Sequence, residues 1–412
     1  MPMTRPSHAI PAPEPGPERT LERVAGGSFL LLVAALPWTI APMSIAAGAC
    51  ATLTLAVWAS RPTRFPRTPV AWPTLAWLVA LLLAAWFALD RAASLPRLSK
   101  ALFPLLVPLA ATHARLPARR RRALALLLVS ATAAALFGLG LYLVKGGHWP
   151  ARARGAVGHY MTFGGQLLLF TSMAAATLAL ARAPRWRIGA LLAALAGGAA
   201  LAATYTRSAW IGLAVALATL LGLARPRWLP ALAGVLLLAL LLAPASVRTR
   251  ALTAFAPRDS VNLERTHMWR GGLEMFRDHP LTGVGLSDLK PIYDRYMPPG
   301  AHERAGHLHS VPIQIAASMG IAGLVAFALL YGSLFVAAAR GVRPLVRRGG
   351  TDAALRAGAT AALAGFLVAG LFEWNFGDEE LLYPLFILVG LAWAARAGDD
   401  APAAAAPGEA GR

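Results

Sequence analysis

The chain contains a single cysteine, Cys50, among 412 residues. That excludes an internal disulfide and any metal site built from cysteines. Acidic side chains are scarce, 19 Asp and Glu against 39 Lys and Arg, and lysine is reduced to Lys100, Lys145 and Lys290. Charged residues of both signs make up 14% of the sequence, well below the quarter or so that a soluble domain carries. No nucleotide-binding motif is present. Gly283-Val284-Gly285 lacks the strand–turn–helix context of a phosphate loop and reads as a turn.

Apolar residues fill the space that charge leaves. They reach 57% of the chain, with a mean hydropathy of +0.56, which excludes an ordinary soluble protein. A helix crossing a hydrocarbon core of roughly 30 Å needs about 20 mostly apolar residues. Twelve stretches fit: 26–40, 42–58, 71–88, 98–113, 123–144, 160–181, 187–204, 208–223, 228–244, 311–339, 354–373 and 381–396. The first two are joined tightly at Pro37-Trp38, and 98–113 is short and broken by Pro104 and Pro108, so eleven is the alternative count. The first stretch lies too deep in the chain for a cleaved signal peptide. The fold class expected is an all-α polytopic membrane protein. Residues 1–25 and 397–412 read as disordered tails. Residues 26–244 carry nine spans and 311–396 the last three, with one large hydrophilic loop with short helices, 245–310, between them.

Short-loop arginines set the orientation. With the N-terminus in the cytoplasm, the inner loops hold Arg61, Arg64 and Arg67; Arg115 and Arg119 to Arg122; Arg182, Arg185 and Arg187; Arg225 and Arg227; and Arg340 to Arg356. An even span count returns the C-terminus to the same side. This bias accounts for most of the net charge of +20. Nucleic acid is not the expected partner, because the basic residues sit in short loops between spans.

A surplus of basic residues remains on the outer side: Arg91, Arg97, Lys100, Lys145, Arg152, Arg154, Arg207 and nine more in the long loop. Arg207, in Thr206-Arg207-Ser208-Ala209-Trp210, and Arg265, in Glu264-Arg265-Thr266-His267-Met268-Trp269, are the best placed. A guanidinium at a membrane helix junction needs a partner, and its fork matches phosphate oxygens bidentately. The structural alternative is that Arg207 snorkels to head groups or pairs with a carboxylate such as Glu373. His309 precedes Ser310, a candidate N-cap, and Pro312, which a first helical turn tolerates. At a helix N-terminus near arginines, its imidazole is expected to stay neutral and able to accept a proton; a capping or interfacial histidine is the plainer reading. His307 and His309 at i, i+2 hint at a metal, but spacing offers no third ligand. Asp378-Glu379-Glu380 reads as a solvated acidic turn, with a divalent-ion site as the alternative. No Asp-x-Asp pair appears on the outer side.

In order, these segments resemble the O-antigen ligase and polymerase superfamily of bacterial envelope glycosyltransferases. The resemblance rests on Thr206-Arg207-Ser208-Ala209-Trp210, then Arg265 to Trp269 running into Asp278-His279-Pro280-Leu281-Thr282-Gly283-Val284-Gly285. It ends with His309-Ser310, Ile313-Gln314 and Ser318 to Gly323. Two departures stand out: Ser310 where many members have Asn, and Ser318 where an acidic residue is common. The resemblance implies a GT-C-like glycosyltransferase in the inner membrane, with no cofactor or metal. It implies an inverting transfer of a glycan from undecaprenyl pyrophosphate at the periplasmic face. The acceptor is lipid A-core oligosaccharide in ligases, another lipid-linked repeat in polymerases, and Ser or Thr in protein oligosaccharyltransferases. By this resemblance, Arg207 and Arg265 bind the donor pyrophosphate and His309 is the catalytic base. Arg91, Arg97, Arg152, Arg154 and His307 are supporting or acceptor-phosphate candidates. A lipid-linked glycan transporter is the non-enzyme alternative, disfavoured by the lack of internal repeats and of charges at span centres.

Overall fold

The computed structural model describes residues 17–62, 65–256 and 259–395. These are 77% helical with no strand among the described residues. The chain runs through α1 (Pro17–Ala35), α2 (Ile40–Ser60), α3 (Ala71–Trp86), α4 (Arg91–Ser94), α5 (Leu106–His113) and α6 (Pro117–Val144). It continues with α7 (Tyr160–Leu180), α8 (Pro184–Ala203), α9 (Arg207–Ala224), α10 (Leu229–Leu242), α11 (Ala245–Leu252) and α12 (Ser260–Asp278). The last elements are α13 (Lys290–Tyr293), α14 (Val311–Ala339), α15 (Val342–Arg348), α16 (Thr351–Ala369) and α17 (Glu379–Ala394).

Seven helices, α2, α6, α7, α8, α9, α14 and α16, are long and apolar enough to cross a membrane by length and composition. The chain is therefore an all-α polytopic membrane protein. The expected count of twelve is not reached on that criterion: α1 is charged over its first turns, α3, α10 and α17 are shorter, and 98–113 splits into a 3-10 segment, Leu95–Leu105, and α5. Pro104 lies inside the 3-10 segment, as expected of a residue that cannot sustain an α-helical ladder. Residues 17–25, expected in the N-terminal tail, belong to α1. Residues 1–16, Arg64 and the whole C-terminal tail lie outside the described residues.

α7 and α16 occupy the centre, with most of their residues buried, while α2, α6, α8 and α9 bury well under half of theirs. α16 is rich in Ala and Gly (Thr351–Ala369), and there is a physical reason. A Cβ on Gly365 would lie 2.3 Å from the carbonyl oxygen of Gly212 in α9, so the two backbones meet with nothing between them. α10 buries no residue at all and lies against the outside of the bundle.

The two ends of α16 carry different chemistry. At its start Arg120 pairs bidentately with Asp352, at 2.8 and 2.7 Å, in a fully buried site. At its end Gly370 accepts a hydrogen bond from the Val311 amide at 2.7 Å, which fixes the entry of α14 and so the position of His309. Nineteen residues separate these ends, about 28 Å of helix rise.

Candidate functional site

α12 starts at a capped turn. The Asp259 side chain accepts from the Asn262 amide at 3.3 Å, satisfying one of the free donors of a helix N-terminus. Asn262 then organises its surroundings, donating to the carbonyls of Thr253, Ala254 and Ala256. Its own carbonyl accepts from Arg207 at 2.8 Å. Arg207, the first residue of α9, also donates to the Thr253 carbonyl at 2.8 Å and lies 3.5 Å from Asp259. The loop helix is thus fastened to the helix that begins with Arg207.

The expected alternative partner of Arg207 is not the one found. Glu373, in the turn after α16, pairs with Arg265 at 3.2 Å and with His309 Nδ1 at 2.8 Å. Its Oε1 also accepts from the Trp374 amide at 3.1 Å. Burial alone would raise this carboxyl, but the His309 hydrogen bond and charge, together with Arg265 and His307, hold it down at about 2. An ionised Glu373 can only accept, so His309 donates through Nδ1 and its Nε2 is the nitrogen left for other work.

One cavity of about 230 Å³ collects Arg207, Arg265 and His309, with Arg152, Arg250, Tyr160 and Tyr205 also in its wall. Four arginines face two glutamates, Glu264 and Glu303. Arg152 stacks over Tyr160 and Trp149, with its guanidinium carbon 4.1 and 4.5 Å from the ring centres. Arg250 lies over Trp149 at 5.5 Å, and its buried Nε has no hydrogen-bond partner. Burial and the neighbouring Arg152 both depress its pKa. Four guanidinium groups crowded into one concave site, with the Arg250 Nε unpartnered, give it the charge to accept an anion.

Backbone strain concentrates here. Among the described residues only two outside glycine have left-handed φ, Tyr205 at 53° and His309 at 44°, and both line this cavity. Each stands two residues before a helix, α9 or α14. Such conformations cost about 1–3 kcal/mol each and persist only where the surroundings over-determine them. The Tyr205 hydroxyl meets Tyr142 and Ser246 at 3.2 and 3.1 Å. The segment before α14 is held by Gln314 Oε1, which accepts from the Leu308 amide at 2.8 Å, and by the Leu308 carbonyl, which accepts from Trp269 Nε1 at 3.0 Å. Ser310 does occupy the N-cap position, but its hydroxyl makes no capping bond.

The segment Pro280 to Gly285 locks α12 to α14. α14 opens at Gly320, φ 61°, and the freed groups bond to this segment. Val284 N donates to the Ala317 carbonyl, Gly285 N to Ser318, and Ile321 N to Pro280, at 2.8, 3.1 and 2.8 Å. A Cβ on Gly320 would lie 2.4 Å from the Leu281 carbonyl carbon, and one on Gly283 2.2 Å from that of Ser318.

His307 stands beside His309, ring centres 4.3 Å apart, but faces a second cavity. That space, about 330 Å³, is walled by Trp77, Phe103, Phe327, Tyr331, Trp374 and other apolar side chains, with Arg97 and Lys100 at its polar margin. Burial, then the neighbouring His309, lowers His307 to about 4. Arg152 joins the arginine cavity, whereas the other supporting candidates do not converge on it. Arg97 belongs to the second cavity, Arg91 packs over Trp86 at 5.3 Å, and Arg154 is exposed.

The third ligand that spacing did not offer to the two histidines is supplied by the fold. Ligand atoms of His307, His309 and Glu373 lie within 4.8 Å of one another. This trio could hold a divalent ion, yet Arg265 already engages the same carboxylate, and a cation there would face the guanidinium. The acidic turn also differs from expectation. Asp378 is partly buried and accepts from Thr162 Oγ1 at 2.6 Å, with burial raising its pKa, while Glu379 and Glu380 occupy the first turn of α17.

Residues 189–328 match a family model described as O-Antigen ligase, about a third of the chain. No curated protein matches the chain. The matched region takes in Arg207, Arg265 and His309 and stops before Glu373. Over that region the chain is similar to the O-antigen ligase family, whose members are glycosyltransferase-like ligases and polymerases.

Proposed function

We propose that the protein is an O-antigen ligase of the bacterial inner membrane, acting at the periplasmic face with both termini in the cytoplasm. It would transfer O-antigen polysaccharide from undecaprenyl pyrophosphate to a sugar hydroxyl of lipid A-core. The observation that carries this reading is the convergence of Arg207, Arg265 and His309 on one arginine-rich cavity, with Glu373 bridging the last two.

The donor pyrophosphate lies among Arg207, Arg250, Arg265 and Arg152. His309 Nε2 takes the proton from the acceptor hydroxyl as its oxygen forms a bond to the anomeric carbon. The bond from that carbon to the pyrophosphate oxygen breaks on the opposite face, so the configuration inverts. Undecaprenyl pyrophosphate leaves with the electron pair, and its growing charge is met by guanidinium groups already in place. Glu373 holds the imidazole in one tautomer and stabilises the imidazolium that forms, as the carboxylate of a catalytic triad does. General-base removal of the proton is worth about 10²–10⁴-fold. The aromatic-walled cavity beyond His307 has the apolar faces and polar edge suited to a sugar ring of the acceptor.

The test is transfer by purified protein supplied with lipid-linked O-antigen and lipid A-core. His309→Gln should lose 10²–10⁴-fold in turnover with an unchanged melting temperature. A folded H309Q protein with near-native turnover would overturn the scheme. Extension of one lipid-linked glycan by another, without transfer to the core, would make the protein the polymerase.

A further inference from the structure

At the other end of the bundle from the arginine cavity, α6 and α8 leave a groove between them that the transfer chemistry does not use. Ala125, Ala133 and Gly189 form its floor, and Leu128, Val129, Leu136 and Leu192 its flanks. It encloses about 660 Å³. Val129, Leu136 and Leu192 are 70%, 55% and 58% exposed within the protein, so this face looks outward to the bilayer. At one end the groove stops at Arg121, Arg185 and Trp186.

A polar chamber of about 310 Å³ continues from that end. It shares Arg121 and Trp186 with the groove and adds Arg182, Gly349, Gly350 and Thr351. The starts of α6, α8 and α16 all border it, at Pro117, Ala183 and Thr351. Their dipoles add to the positive field of the arginines. Arg182 spends two of its donors on the Arg348 carbonyl, whereas Arg121 and Arg185 make no hydrogen bond or ion pair with the described residues. Asp352, the acidic residue in the wall, is neutralised by its bidentate pair with Arg120.

We infer that this chamber and groove form a binding site for an anionic phospholipid. Its phosphate sits between Arg121, Arg185 and Arg182, and an acyl chain runs along the α6–α8 groove. Charge complementarity selects the occupant. An apolar trough opening to the bilayer and ending at unpartnered guanidinium groups beside a tryptophan matches a lipid with a negative head. A zwitterionic lipid, whose own cation offsets its phosphate, gains less from the arginines, and a free anion gains nothing from the trough. The inference is independent of the proposed transfer reaction.

The experiment counts lipids retained by the full-length protein after reconstitution in nanodiscs of phosphatidylcholine containing phosphatidylglycerol. Native mass spectrometry reads the bound species. Phosphatidylglycerol should be retained over phosphatidylcholine, and Arg121→Gln and Arg185→Gln should each reduce that retention about fivefold. Gly189→Leu tests the tail seat with the arginines intact. A Cβ there meets nothing within 4 Å, and leucine favours a helix over glycine, so the variant should fold while losing the bound lipid. Equal retention of the two lipids, full displacement of phosphatidylglycerol by inorganic phosphate, or unchanged retention in G189L would each overturn the site. Loss of a dimer in G189L, without loss of lipid, would overturn it in favour of a contact between two copies of the chain.

Discussion

Replacing Glu373 with Gln tests the site at its most loaded point. The substitution keeps the shape of the side chain and removes its charge. Two charge-assisted bonds are altered, to His309 at 2.8 Å and to Arg265 at 3.2 Å, each worth about 1.5–3 kcal/mol. Only the bond to His309 strengthens as the imidazole takes up a proton, so only that one enters the barrier to transfer. About 2–3 kcal/mol of barrier corresponds to roughly a 30- to 150-fold fall in kcat. KM for the donor should change much less, because the arginine cavity keeps all four guanidinium groups. Glu373→Asp, with the charge kept but drawn back by one methylene, should recover part of the loss. A purely structural Glu373 would behave differently, with Tm falling in both variants and kcat tracking the folded fraction. The assay is steady-state transfer in parallel with thermal unfolding. A folded E373Q protein with kcat within threefold of wild type would refute the argument that Glu373 serves the base.

Other outcomes follow from the same geometry. Arg250→Ala should weaken donor binding about tenfold or more, because it removes a half-buried cation whose Nε has no protein partner; binding of radiolabelled lipid pyrophosphate checks this. Stability should fall on acidification below about pH 6.5. His307 is held to about 4 in the folded protein against roughly 6.5 unfolded, so the unfolded state binds the proton first and gains as pH falls through that window. Glu373 acts in the same direction further down, between its unfolded value of about 4.3 and about 2. His307→Gln should flatten the slope of Tm between pH 6.5 and 4. Gly320→Ala should destabilise by more than about 2 kcal/mol, combining a left-handed φ with overlap on Leu281. A G320A melt like that of wild type would mean that α14 does not need its break.

Much of the fold was legible because membrane helices announce themselves. Every expected apolar stretch falls largely on helix, and Pro37-Trp38 and Pro312 mark junctions where they were expected, whereas Pro104 and Pro108 lie inside the 3-10 segment and α5. The count was less legible, because apolar runs such as Leu229–Leu242 are shorter than a full crossing. Within the candidate site, Arg207 and Arg265 stood out as charge out of place on the expected outer side and His309 by its place at a helix entrance; the fold brings all three to one cavity, and Tyr205 stands beside the first of them. Arg250 was not singled out, since one basic residue among nine in a loop has no spacing to distinguish it; its neighbour Trp149 lies about a hundred residues away in sequence. Glu373 was the harder case. Its sequence context offered it only as an alternative partner of Arg207, whereas it pairs with Arg265 and His309. Its true partners come from α12 and the entry to α14, which only the packing of α16 against α14 brings within reach. The second cavity is assembled from six separate segments and leaves no local pattern at all.

The sharing of one carboxylate between a base and an anion-binding arginine has a mechanistic consequence within the proposed reaction. Without donor, Arg265 and His309 divide the charge of Glu373. A pyrophosphate entering the cavity brings more negative charge and a better bidentate match for the guanidinium than one oxygen of a carboxylate already bonded to Trp374 and His309. Arg265 then turns toward the donor, and the full charge of Glu373 is left to stabilise the imidazolium on His309. Donor binding thereby leaves the Glu373–His309 pair undivided at the moment an acceptor hydroxyl can be used. The strained φ of His309 fits this arrangement, because a relaxed backbone would let the imidazole follow the retreating guanidinium instead of staying aimed into the cavity. Substituting Arg265 by Ala should therefore separate two effects: donor affinity falls, while His309 remains fully paired with Glu373. At saturating donor, kcat in R265A should fall less than in E373Q, whereas KM for the donor should rise more.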